Sequence, residues 1–227
     1  MPRMTVMPTP PSNFTAVLLG LSGCLVDFGA RSKTATPAPD HPFIHGAAAT
    51  RLEPDWADTQ PISSEQAQPT PGALELLFAL QRKNITCAWI DDLAPQTASA
   101  LTQELPDWLD GCLAKRAWPA PDACWQALID LQAEQHSGCI LIGSDPQMLQ
   151  AALNAGFWTV GLAACGAACG KSLAEWQRLD AQTREKLRAD ATLQLYRLGV
   201  HSVIDDLTDA QSCLAELYKR YSKGERP

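Results

Sequence analysis

The sequence predicts an α/β fold built on a doubly wound parallel sheet, and three observations lead there. Short apolar runs recur along the chain, each followed by a small-residue or acidic turn and then a helical pattern. The runs are continuously apolar rather than alternating, as strands buried on both faces are. Gly, Pro, Asn and Asp punctuate the joints between them.

The first run, Thr15 to Leu19, reads as the central strand, and the turn Gly20-Leu21-Ser22-Gly23-Cys24 follows it. In an open α/β sheet, ligands bind beyond the carboxyl ends of the strands, so this exit is where chemistry is expected. Its first acid is Asp27. Residues 30–69 then change character. They are rich in Pro, Ala, Ser and Thr with little apolar periodicity, which predicts an irregular insert pinned at most by Phe43, Ile44 and Trp56.

Order returns at Pro71-Gly72, with a helix over Ala73 to Arg82 whose Leu74, Leu77, Phe78 and Leu80 suit a face packed on a sheet. Ile85 to Ile90 reads as the second strand, ending at Asp91-Asp92, and Pro95 to Leu105 as the next helix. One of those two acids caps that helix, or one of them faces a ligand. A third strand is expected over Gly111 to Ala114 and a helix over Pro121 to Gln135. Gly138 to Ile142 is a buried strand, Gly143-Ser144-Asp145-Pro146 starts the helix to Asn154, and Phe157 to Leu162 is the next strand. Helices over Leu173 to Arg178 and Asp180 to Leu198, a strand near Ser202 to Ile204 and a helix to Tyr221 complete the chain. The expected organisation is a tail over 1–13, a core over 14–29 and 70–221, the insert over 30–69, and a second tail over 222–227.

At 227 residues the chain can bury a sizeable core, and its net charge of −7 argues against the basic surface that nucleic-acid binding needs. The Pro-rich start contains no secretory apolar segment, and no run approaches the roughly 18 apolar residues of a membrane span. A cytoplasmic protein is expected, with no membrane partner. The eight cysteines lie mostly inside apolar runs without CxxC spacing, so they read as buried reduced thiols.

Two weaker motifs remain. Cys165 to Ser172, CGAACGKS, nearly spells the phosphate-cradling GxxxxGK[ST] loop but lacks its first glycine and follows a late strand; a Gly/Ala loop with Ser172 capping the next helix is the plainer reading. His41, His45, His136 and His201 are scattered and read as solvated, and Glu175, Asp180, Glu185 and Asp190 as a solvated helical face.

The stretches AVLLGLSGCLVDFG, WPAP (Trp118 to Pro121), ILIGSDPQM and LNAGFWTVGL, with a tail REKLRADATLQLYRLGVHSVIDDLTDAQSCLAEL, resemble the haloacid dehalogenase superfamily and, within it, the phosphonoacetaldehyde hydrolases. The resemblance covers residues 14–29 and 70–220. It implies a Rossmann-like core, an aspartate nucleophile at the first strand's exit, a magnesium ion, and a helical cap that carries an imine-forming lysine. This chain departs at each station. Gly20 stands at the nucleophile, Ser22 at the third motif place and Cys24 at the threonine. Ile90 to Asp92 replace the phosphate-binding Ser or Thr, Trp118 replaces the basic residue, and Ser144 and Met148 replace two magnesium-supporting acids. Lys33, the insert's lysine, matches no cap motif.

Without a carboxylate at position 20, the covalent route has no starting group. The resemblance therefore implies a capless relative with no magnesium cofactor, inactive toward phosphonates and phosphates. Such a protein would act by binding a small molecule or a protein. The rival is a hydrolase rebuilt around Ser22, Cys24, Asp91, Asp92, Ser144 and Asp145, and nucleotide binding through Lys171 is a third reading. Relatives of this type dimerise through the cap, so a homodimer is left open.

Overall fold

The computed structural model describes residues 14–33, 61–133 and 135–227. Six strands form one all-parallel sheet in the order β3-β2-β1-β4-β5-β6. They are β1 (Ala16–Gly20), β2 (Cys87–Asp91), β3 (Gly111–Leu113), β4 (Cys139–Gly143), β5 (Trp158–Leu162) and β6 (Ser202–Ile204). The chain winds outward from β1 to β3, then crosses back to β4 on β1's other side. The strand order reverses between β1 and β4, and a crevice is expected above that point.

The strands sit where the apolar runs do because β1, β4 and β5 are buried at every residue. Within β1, Val17 and Leu19 enter one core and Ala16 and Leu18 the other, the period of two that a strand imposes. The first core is closed by α2 (Ala73–Arg82), α3 (Pro95–Leu101) and α8 (Ala210–Ser222). The second is closed by α4 (Asp122–Asp130), α5 (Pro146–Asn154) and α7 (Ala181–Leu198). The short α1 (Ser64–Ala67) and α6 (Leu173–Arg178) complete the set.

Several expectations are corrected. The insert expected to be irregular contains α1, stabilised by a capping box between Ser63 and Gln66. Most of that insert, including Phe43, Ile44 and Trp56, lies outside the described residues, as does the first tail. Phe78 is exposed and Leu74 half-buried, while Leu77 and Leu80 are buried as expected and Leu76 joins them on α2's packed face. α4 stops at Asp130, short of Gln135, and the chain then turns through Gln132 at φ 53°. Pro95 to Leu105 begins as an α-helix and ends as a 3-10 turn over Thr102–Glu104. No helix among the described residues is long and apolar enough to cross a membrane. All eight cysteines are free and buried, as their apolar settings predicted.

Candidate functional site

The exits of β1, β2 and β4 meet at the strand-order reversal, and the structure brings Ser22, Asp91, Asp92 and Asp145 together there. Asp91, the last residue of β2, is 0% exposed. It accepts a hydrogen bond from the Ser22 backbone N–H at 2.9 Å, while its other oxygen accepts from the Asp92 N–H at 2.9 Å. That arrangement overturns the capping expectation for the pair, since Ala94 precedes α3 at the capping position and no side chain caps the helix. Asp145 does cap its helix: its Oδ1 accepts from the Gln147 and Met148 N–H groups at 2.8 and 3.4 Å.

A residue that sequence reasoning passed over completes the cluster. The Lys33 ammonium lies 2.7 Å from Asp145 Oδ2, 3.0 Å from Asp91 Oδ1 and 3.6 Å from Asp92 Oδ1, with 16% of its side chain exposed. Asp27, also passed over, places it. Asp27 is buried, and its carboxylate accepts from Ser22 Oγ at 2.8 Å and from the Arg31 and Ser32 N–H groups at 3.1 and 2.7 Å. Those bonds fold residues 27–33 back over the strand exits. Ser22 is the hub, joined to Asp27 through its hydroxyl and to Asp91 through its backbone.

One ammonium serves three carboxylates, and their protonation follows. Burial opposes the Lys33 charge, but Asp91, Asp145 and Asp92 outweigh it and raise the lysine's pKa, so the ammonium persists well into the alkaline range. Burial also opposes the Asp145 charge, yet Lys33 and the α5 N–H groups hold its pKa below the usual carboxylate range. Its contribution to stability is therefore present above about pH 4 and lost on acidification. Asp92 has the longest contact to Lys33, and burial, helped by Asp91 and Asp145 against Lys33, pushes it up to about 6. The fold retains a proton on Asp92 that the unfolded chain releases near pH 4, so this contribution is full below that pH and disappears as pH rises through 6. Asp92→Asn imitates the protonated form. It is expected to raise the melting temperature above wild type at pH 8 and by much less at pH 4.5, where most of the folded protein still holds the proton; an equal rise at both would contradict the assignment.

Beneath the cluster the space is filled. A Cβ placed on Gly20 would meet Met148 Sδ at 3.3 Å and Cys24 Cβ at 3.3 Å. Met148 is 1% exposed. The Cys24 thiol donates to the Ile142 carbonyl at 3.5 Å, and burial raises its pKa, the reverse of what a reactive thiol needs. Ser144 is buried between two glycines at positive φ, Gly23 and Gly166, where a Cβ would come within 2.6 and 2.2 Å of its hydroxyl. Its Oγ has no partner among the described residues. Ile90 and Trp118 are buried in the second core, while Lys115 and Arg116 remain exposed beyond β3.

The magnesium shell that the resemblance implies does not fit these residues. Gly20 supplies no side-chain donor, Met148 supplies a soft thioether where a hard cation needs oxygen, and the nearby carboxylates already hold an ammonium. The Lys171 loop does not form a phosphate cradle either. The Gly166 N–H donates to the Phe28 carbonyl, the Cys169 and Gly170 N–H groups to the Gly166 carbonyl, and Ser172 forms a capping box with Glu175. Of the histidines, His136 is exposed, but His201 is half-buried and accepts from the Thr159 N–H through Nδ1 at 3.0 Å, correcting the solvated expectation. His41 and His45 lie outside the described residues.

No protein-family model matches the chain. It is 30% identical over 171 residues to a phosphonoacetaldehyde hydrolase of Bordetella pertussis, covering 72% of this chain and 62% of that protein. A phosphonoacetaldehyde hydrolase of Vibrio vulnificus matches at 29% over 174 residues, covering 72% and 64%. The chain thus spans less than two thirds of the length of these relatives. One solved crystal structure superposes with a TM-score of 0.79 at 45% identity, covering 95% of this chain and 100% of the other. A phosphonoacetaldehyde hydrolase-like protein from Oleispira antarctica superposes over both full chains with a TM-score of 0.77 at 20% identity. By this sequence relationship and this sheet, the chain belongs to the haloacid dehalogenase superfamily as a phosphonoacetaldehyde hydrolase-like protein.

Proposed function

We propose that this protein has lost hydrolysis of phosphonates and phosphates and works as a binding or regulatory protein on the retained fold. The observation that carries the reading is the filled exit of β1. Gly20 offers no nucleophile, and even a Cβ at that position would press on Met148 Sδ and Cys24 Cβ at 3.3 Å. Loss of a covalent nucleophile alone lowers rate on the order of 10⁴ to 10⁶, and here the acids that would support a cation are replaced as well. A capless architecture over 30–69 belongs to the same proposal, as does the choice between a small molecule and a protein as partner, or a second copy of the chain.

The rebuilt-hydrolase alternative needs an accessible nucleophile. Cys24 is fully buried with a raised pKa, and Asp91, Asp92 and Asp145 are engaged by Lys33, so the geometry favours the inactive reading. Magnesium-dependent phosphate release from phosphonoacetaldehyde and from an aryl phosphate tests it. No turnover above the buffer blank is expected. Turnover abolished by Asp145→Asn in a folded variant would contradict the proposal.

A further inference from the structure

The misfit between the inherited magnesium requirement and the residues present has a specific physical form. The carboxylates at the strand exits are not left without a cation. Asp91 comes from the end of β2 and Asp145 from the turn after β4, on opposite sides of β1, and a single ammonium bridges them with Asp92 at its edge. The ammonium donates a hydrogen bond to Asp145 Oδ2 at 2.7 Å and holds Asp91 and Asp92 by charge at 3.0 and 3.6 Å, without a metal's capacity to take on further oxygens.

We infer that Lys33 is a tethered cation that has replaced a divalent ion at the strand-order reversal, keeping the Asp91, Asp92 and Asp145 carboxylates closed to metal. This rests on the proposed loss of hydrolysis only in sharing its location. The tether is built rather than incidental. Asp27 binds the backbone on the two residues before Lys33, and Gln66 Nε2 donates to Ser32 Oγ at 3.1 Å, bracing the turn from the far end of the insert. Asp27 is in turn held through Ser22 to Asp91, so the lysine and one of its carboxylates are anchored to the same residue. Two negative charges remain uncompensated after the one ammonium is counted, if all three acids ionise. Removing the ammonium leaves three carboxylate groups whose mutual repulsion a hard divalent cation would relieve.

The test is melting of the full chain with EDTA, magnesium, calcium or manganese, in wild type, Lys33→Met and Lys33→Arg. Methionine keeps most of the apolar stem and removes the charge; arginine keeps the charge. Wild type and Lys33→Arg are expected to melt at the same temperature in every buffer. Lys33→Met is expected to melt lower in EDTA and to gain about 5 °C or more at a hundredfold excess of cation over its Kd, a gain lost again in Lys33→Met/Asp145→Asn. If Lys33→Met does not fold in EDTA, refolding in calcium must recover it, and failure in both overturns the inference. A folded Lys33→Met indifferent to all three cations overturns it, as does a saturable response in wild type that Asp145→Asn removes. Turnover is not read in this experiment, so an active wild type that ignores metal would sink the proposed inactivity and leave the tethered cation standing.

Discussion

Gly20→Asp, which restores the carboxylate at the first strand's exit, is expected to destabilise the protein by about 4 kcal/mol and to restore no hydrolysis. The new Cβ would lie 3.3 Å from both Met148 Sδ and Cys24 Cβ, in van der Waals contact tight enough that those neighbours must shift. A carboxylate carried on that Cβ would leave water for a buried position beside a thioether, a poor partner for a charge. The Lys33 ammonium near the exit is already shared among three acids. Denaturant unfolding at pH 7.5 reads the loss as a lower midpoint at an unchanged slope. A variant as stable as wild type that hydrolysed phosphonoacetaldehyde with magnesium would show that only one residue separates this chain from activity.

Asp91→Ala is the second large effect, expected at about 3 to 5 kcal/mol because it removes one partner of a buried ion pair and leaves the other. The Ser22 and Asp92 N–H groups would lose their acceptor together with the Lys33 ammonium. Asp145→Ala should cost less. Asp145 is 22% exposed at its side chain, so water can take over part of its role, although its helix cap is lost too. Equilibrium unfolding of the two variants separates these cases, and equal losses would contradict the burial argument. Asp91→Ala combined with Lys33→Met should lose less than the sum of the two single changes, since each removes the other's partner.

Local chemistry made most of the fold legible. The limits of α2 follow from apolar periodicity, and Ser172, Asp145 and Asp180 announce their helices because a cap is a contact between residues three apart or fewer. Phe78 failed because a helical stripe read by composition alone cannot tell a fully covered residue from one at its edge. The site was half legible. Ser22, Asp91, Asp92 and Asp145 were identified as candidates by their places at strand exits, and the parallel order brings those exits together. Lys33 was missed because it lies 112 residues from Asp145 in sequence, and nothing local signals a pairing that only the sheet order creates. Asp91 reads from sequence as a candidate helix cap for the same reason: the N–H it accepts from, that of Ser22, is 69 residues away. A charge count at the exits offered the missing signal. Asp91, Asp92 and Asp145 converge with no cation of their own, and the first basic residues after β1 are Arg31 and Lys33.

On the proposed reading, the first strand's exit is closed to phosphoryl chemistry by Met148 and Cys24 below and the Lys33 ammonium above. A single-turnover reaction tests it most directly, with the protein in excess over phosphonoacetaldehyde, magnesium at saturating concentration, and phosphate and acetaldehyde measured together. Neither product is expected to form faster than in buffer. Stoichiometric release of both within one turnover would contradict it.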